Sequence, residues 1–282
     1  MASSHGEHPC VGASVTEASW PGLHFGFLRA PSGDCPEHAH DQLHVVHAVR
    51  GRFLQISETS SGRRRRTTIA PGGSYVVAAG QRHEASWGGE IETACLHLSN
   101  DFLHEVASDR PRAGAMAPRD GLMSDRGPAA PGYFHALRTA LAHAPRSRLV
   151  AESAATLLVD ALLGAERFER AAMPLDADSL ARVADFIEAS LGEDLSLRAM
   201  ARVAGRSPSH FARTFRAATG VSPAAYVRAR RIVRAREALQ HEDVSLAELA
   251  LRLGFASQAH FTTAFRLQAG MTPAAFRRVA RI

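Results

Sequence analysis

Two stretches near the carboxyl end repeat each other, and a repeat at fixed offset restricts the fold more than any other feature of this sequence. LRAMARVAG (197–205) aligns with LAELALRLG (246–254) at an offset of 49, and SHFARTFRAATGVSPAAYVR (209–228) aligns with AHFTTAFRLQAGMTPAAFRR (259–278) at 50. The one extra residue lies in the turn between the two halves. Leu197, Met200, Ala201 and Gly205 match Leu246, Leu249, Ala250 and Gly254; Phe211, Phe215, Gly220, Pro223 and Tyr226 match Phe261, Phe265, Gly270, Pro273 and Phe276. Two copies are too few for a solenoid. They form two similar subdomains, each a short helix, a Gly-containing turn and a second helix.

Local signals agree on where these helices begin. Ser207 precedes Pro208 as N-cap before a first-turn proline, Ser257 can cap the equivalent helix, and Ser245 with Glu248 forms an S-x-x-E capping box. Phe211 and Phe215 stand four apart and face the core, as do Phe261 and Phe265. That turns Ser209, Ala212, Arg213 and Arg216 outward in the first copy, after Arg206 and Ser207 in the turn. In the second it turns Ala259, Thr262, Thr263 and Arg266 outward, with Ser257 and Gln258 at the start. A helix in a major groove reads base edges with such side chains, and Arg213 suits a bidentate contact to guanine. Arg206, Arg216 and Arg266 are better placed for phosphates. Residues 222–240 should be one long helix that fixes the two units about 34 Å apart, one turn of duplex. A basic helical pair can also be a solvated or protein-binding surface, but two matched copies favour nucleic acid.

Charge is distributed to suit. All 33 basic residues are Arg; residues 178–282 carry 16 of them against 9 acidic residues, whereas 1–177 carry 17 against 19. The carboxyl third is the end that meets a polyanion.

These residues resemble the AraC/XylS family of bacterial transcription regulators. The resemblance covers 178–282 and rests on the doubled unit and on GFASQAHFTTAFRLQAGMTPAAF. It implies a DNA-binding domain of seven helices with base contacts mainly in the first recognition helix, so promoter DNA is the expected partner, with RNA polymerase as a further one. Thr263 stands where several members carry Arg, which lowers the base reading expected of the second helix.

The amino-terminal part reads differently. From His24 to Leu98, short apolar runs alternate with Gly, Pro, Ser and Asp, the pattern of a β-sandwich or small barrel. Arg63 to Arg66 sit between two runs and read as a solvated hairpin end. In EHAHDQLHVVHAVRG (37–51), His38, His40 and His44 share parity and project to one side of a strand, while His47 projects to the other. With Gly51 and a later GGSYVVAAGQRH ending at His83, this resembles the two cupin motifs, His44 replacing the usual Glu and Ala78 the usual Pro. Carried over, His38, His40, His44 and His83 fall where a metal cupin places its ligands. Imidazoles suit Zn, Fe, Ni or Cu; the same histidines can instead line the pocket of a small-molecule effector. His24 and His97 read as ordinary strand histidines.

The expected fold is α+β multidomain: a cupin-like β-barrel sensor over 1–108, then a connection and dimerisation-type helices over 109–168. A linker at 169–177 leads to the all-α DNA-binding domain at 178–282. Within the second segment, 133–144 and 148–168 carry apolar residues at helical intervals, more than one covered face needs, so a face for self-association is expected. Cys10, Cys35 and Cys95 are widely spaced without a CxxC, which suits a reducing compartment. No apolar run reaches the roughly 18 residues of a membrane span, and MASSHGEHP is too polar for a secretory segment, so a soluble cytoplasmic protein is expected. Three functions compete: a non-enzymatic regulator with an effector, a metal-dependent cupin oxygenase or isomerase with a helical appendage, and a regulator without effector.

Overall fold

The computed structural model describes residues 13–58, 62–107, 121–122, 130–142, 147–162 and 174–280. These divide into two compact units: 13–103 with 121–138 and 161–162 in one, and 104–107 with 139–160 and 174–280 in the other, as far as each range is described. The arrangement expected from the sequence, β-rich first and helical after, is the one observed.

The first unit is built from two antiparallel sheets. Strands β1 (Ser14–Trp20), β2 (Leu23–Ala30), β4 (Leu43–Arg50), β7 (Ser74–Val77), β9 (Ile91–Leu98) and the short β10 (Gly121–Leu122) form one, in the order β1-β2-β9-β4-β7-β10. Strands β3 (Gly33–His38), β5 (Phe53–Glu58), β6 (Arg64–Ile69) and β8 (His83–Trp87) form the other, in the order β3-β8-β5-β6. Their inner faces share a core that includes Leu28, Val46, Phe53, Ile69, Tyr75 and Trp87. The Ser57 and Tyr75 hydroxyls meet across it at 2.8 Å. Alternation is clearest in β5, where Phe53, Gln55 and Ser57 point inward and their neighbours do not. Gly51 is obligatory in the turn after β4: its φ is +75°, and a Cβ there would lie 2.6 Å from the Glu90 carbonyl oxygen. Arg64, Arg65 and Arg66 are not a hairpin end. They belong to the edge strand β6, exposed and in register with Glu58, Ser57 and Ile56.

Three helices follow the last long strand in the chain: α1 (Asn100–Ala107), α2 (Ala130–Leu141) and α3 (Arg148–Leu162). The expectation for 163–168, most of 109–132, Cys10 and the start of the linker falls outside the described residues. Helix α3 is buried along nearly its whole length, with only Arg148, Val150 and Leu157 half-buried, and the exposed residues of α2 include His135, Arg138 and Thr139. Among the described residues of this pair, the exposed ones are polar or glycine. The surplus of Leu, Ala and Val in α3 is consumed by burial around nearly the whole helix, the condition of an internal helix.

The second unit contains seven further helices: α4 (Ala177–Ala189), α5 (Leu197–Val203), α6 (Pro208–Thr219), α7 (Pro223–His241), α8 (Leu246–Arg252), α9 (Gln258–Ala269) and α10 (Pro273–Ala280). They enclose two cores, one around Phe211 and Phe215 and the other around Phe261 and Phe265, each of these rings fully buried. Ser207 Oγ accepts from His210 N and Ser257 Oγ from His260 N, so both second helices start where the caps placed them. Ser245 Oγ accepts from Glu248 N at 3.1 Å. Gly220 and Gly270 end α6 and α9 in matching left-handed conformations, φ +76° and +75°. Replacing Ser207 with Ala strands one amide and is expected to cost about 1 kcal/mol, read from the urea midpoint.

Candidate metal centre and nucleic-acid interface

Four of the histidines singled out in the sequence converge, and a fifth joins them. His38 ends β3, His40 follows it, His44 lies on β4, and His83 opens β8 opposite His38. The fifth is His97 on β9, directly opposite His44 in register and stacked on it with ring centroids 4.3 Å apart. His97 is thus part of the cluster rather than an ordinary strand histidine. Its assignment needed the pairing of β4 with β9, a long-range register that one strand's pattern does not contain. His24 lies beyond it, with its Nδ1 at 2.8 Å from Ser19 Oγ.

Second partners fix the tautomers of two rings. His38 Nδ1–H donates to the Pro36 carbonyl at 2.7 Å and His83 Nδ1–H to the Gln81 carbonyl at 3.1 Å, so each presents a lone pair on Nε2. His38 Nε2 lies 3.2 Å from His40 Nε2. His83 Nε2 is buried and has no hydrogen-bond partner among the described residues. Burial, reinforced by the nearby His38, lowers the His83 pKa to about 4, so the ring is neutral at pH 7 and its nitrogen is open to a ligand. Two sets of three place one nitrogen per ring within 4.8 Å of one another: His38, His40 and His83, and His40, His44 and His97. His40 is common to both. An all-imidazole donor set fits a divalent transition metal and suits Mg or Ca poorly.

Next to the cluster lies a cavity of about 50 Å³ lined by His38, His44, His83, Gln55 and apolar side chains. A larger one, about 160 Å³, lies between the opposite face of the same sheet and α2, where His47 stacks on Phe134 at 4.6 Å and Arg138 and His135 complete the wall. Cys35 and Cys95 are buried in the inner cavity wall.

The helical interface is asymmetric. In the second copy Ser257, Gln258, Ala259, Thr263 and Arg266 are exposed and Thr262 is half-buried, as the core placement of Phe261 and Phe265 requires. Of the candidate residues in the first copy, only Arg206 and Arg216 are exposed. Ser207, Ser209 and Ala212 are buried and Arg213 is half-buried, contrary to the outward placement expected for Ser209, Ala212 and Arg213. The physical cause is α3. Asp160 accepts from Arg213 Nη1 at 2.6 Å and lies 2.6 Å from Ser209 Oγ, while Leu149 enters the core around Phe211 and Phe215. The sequence analysis missed Asp160 and Glu152, two acidic residues inside an otherwise apolar helical run. Their isolation among Leu, Ala and Val was the available signal, since a charge in a buried helix needs a partner.

Doubled helix–turn–helix units with matched caps, cores and glycine exits define a class, and a direct match agrees: the family model described as a helix-turn-helix domain fits residues 200–279. That region is a helix-turn-helix domain of the AraC type. Among proteins of known name, the regulatory protein PocR of Salmonella typhimurium is 39% identical over 71 residues, 25% of this chain and 23% of PocR. The chain therefore spans under a quarter of that relative's length. Among solved structures, an AraC-type transcriptional regulator from Chromobacterium violaceum is 30% identical with a TM-score of 0.36, covering 36% of this chain and 92% of that one. The Mn(II)-containing oxalate decarboxylase of Bacillus subtilis is 15% identical with a TM-score of 0.27, covering 28% of this chain and 21% of that one.

Proposed function

We propose that the protein is a cytoplasmic, sequence-specific regulator of transcription that binds promoter DNA through its two helix-turn-helix units and responds to a small ligand in its β unit. The observation that carries this reading is the doubled unit itself, two like cores joined by the single helix α7, in a region that matches a helix-turn-helix family over 200–279. It is read as a non-enzyme because the relatives that match its carboxyl third are named as regulators. The homodimer enters from the apolar content of 133–144 and 148–168, and RNA polymerase as a further partner of such a regulator.

The ligand is small. Organic effectors occupy sites of about 300–1,000 Å³, whereas the cavity beside the histidines holds about 50 Å³. A divalent transition metal held by His38, His40 and His83, or by His40, His44 and His97, beside that cavity matches the donors. Bound by the first set it would supply a positive charge that ties β3 to β8, and by the second set one that ties β4 to β9. The metal-dependent enzyme is the second reading; it requires turnover by a metal-loaded chain, and the donors alone favour neither.

DNA binding is tested by titrating a labelled duplex from the region upstream of the protein's own gene, and a scrambled copy, at two salt concentrations. The intended sequence should bind more tightly and both should weaken with salt. Equal affinity for the two sequences at both salts defeats sequence-specific recognition. Replacing Arg266 with Ala should weaken both duplexes alike and lower the salt slope by about one, as loss of a phosphate contact does.

A further inference from the structure

We propose that α3 holds the first recognition helix closed to DNA, with the Asp160 carboxylate standing where a backbone phosphate would. The proposal rests on the DNA-binding reading above and assigns its regulation.

The two recognition helices provide an internal control. Positions 209 and 213 of α6 correspond to 259 and 263 of α9, and the same fold exposes Ala259 and Thr263 while covering Ser209 and Arg213. The cover is therefore no property of a helix-turn-helix; it comes from outside the repeated unit. Asp160 supplies it chemically: Arg213 Nη1 donates to Oδ2 at 2.6 Å, and Ser209 Oγ lies 2.6 Å from both carboxylate oxygens. Arg213 Nη1 also reaches Ser209 Oγ at 2.6 Å, closing a three-membered network. Asp160 is 6% exposed and Ser209 3%. A guanidinium and a hydroxyl converging on one oxyanion are the groups and geometry with which proteins hold phosphate.

Helix α3 is fastened to the same unit at its other end. Glu152 is 1% exposed; its Oε2 accepts from Leu197 N, at the start of α5, at 2.8 Å, and its Oε1 accepts from Arg148 Nε at 2.8 Å. One helix thus touches both helices of the first unit, capping α5 and masking α6. Duplex cannot contact Ser209 and Arg213 until Asp160 withdraws, so the affinity for DNA is reduced by the fraction of molecules closed. Past Asp160, Ala161 and Leu162 of the same helix belong to the β unit.

Fluorescence anisotropy with a labelled random-sequence duplex about four helical turns long compares the full chain with Asp160→Asn, Arg213→Ala and the double variant at low salt. Asp160→Asn should bind about tenfold more tightly, Arg213→Ala more weakly, and the double variant no better than Arg213→Ala. If Arg213→Ala weakens binding but Asp160→Asn does not tighten it, the latch is overturned and the interface stands. If Arg213→Ala also leaves binding unchanged, the assignment of α6 to DNA fails and takes the latch with it. Should the Asn variant fold poorly, hydrogen exchange in the unsubstituted chain decides. Saturating duplex should accelerate exchange over residues 148–162, and unchanged or slower exchange there refutes the latch.

Discussion

A chain with His40→Ala is expected to bind Zn²⁺ or Ni²⁺ at least about a hundredfold more weakly than the unsubstituted protein, since loss of even an outer-shell partner of a metal ligand costs 10–100-fold. His40 is the one residue common to both three-imidazole sets. Removing it leaves His38 with His83, and His44 with His97, two ligands in each case. His83→Ala and His97→Ala each destroy one set and spare the other, so the comparison identifies the set in use: the variant with the larger loss marks it. His47→Ala is the control, because that ring points to the opposite face, stacks on Phe134 and bonds with Ser74 at 2.8 Å. Competition with a chromophoric chelator measures all four. The effect should be large at pH 7 because His83 is already neutral there and does not have to lose a proton to bind. Full-strength binding by the His40 variant would show that the ion sits elsewhere or that the cluster serves another ligand.

Such a test is needed because different parts of this protein were encoded at different ranges along the chain. The helix-turn-helix units were legible almost residue by residue. Ser207 before Pro208, the Phe211–Phe215 spacing and the glycines at 220 and 270 act within a few positions of one another, and a matching second copy repeats each signal. The inner-facing set of β4 was legible for the same reason, since parity alone separates His44 from His47. What escaped was decided between distant segments. His97 joined the cluster through its register with His44, 53 positions away. Asp160 found Ser209 across 49 positions, and Glu152 found Leu197 N across 45. A lone acid in an apolar helix announces that a partner exists without naming it. Hence the sequence pointed to a free recognition face on α6, and the folded chain covers it.

One half-buried guanidinium ties the two helix-turn-helix units together, and replacing Arg231 with Met is expected to be strongly damaging to the helical unit. From α7, Arg231 Nε donates to the Leu191 carbonyl at 2.9 Å and Nη2 to the Glu193 carbonyl at 3.0 Å, both in the loop before α5. Its Nη1 donates to the Gly254 carbonyl at 3.0 Å, in the turn of the second unit. One side chain thus binds the first unit's entry loop to the second unit's turn. The backbones meet at the same place: a Cβ on Gly192 would lie 2.5 Å from the Arg252 carbonyl oxygen. Hydrogen bonds from a charged donor contribute about 1.5–3 kcal/mol each, and they are not additive when they share one group, so a loss of about 3 kcal/mol on urea unfolding is expected for Arg231→Met. Gly192→Val should push the two units apart by a different route, through backbone collision. Both variants should then bind a duplex that spans two successive major grooves far more weakly than the parent chain does, while a duplex too short to engage both units should discriminate little among the three. Equal losses on the long and the short duplex would mean that the damage is to each unit's own fold, and that their separation is held by α7 alone.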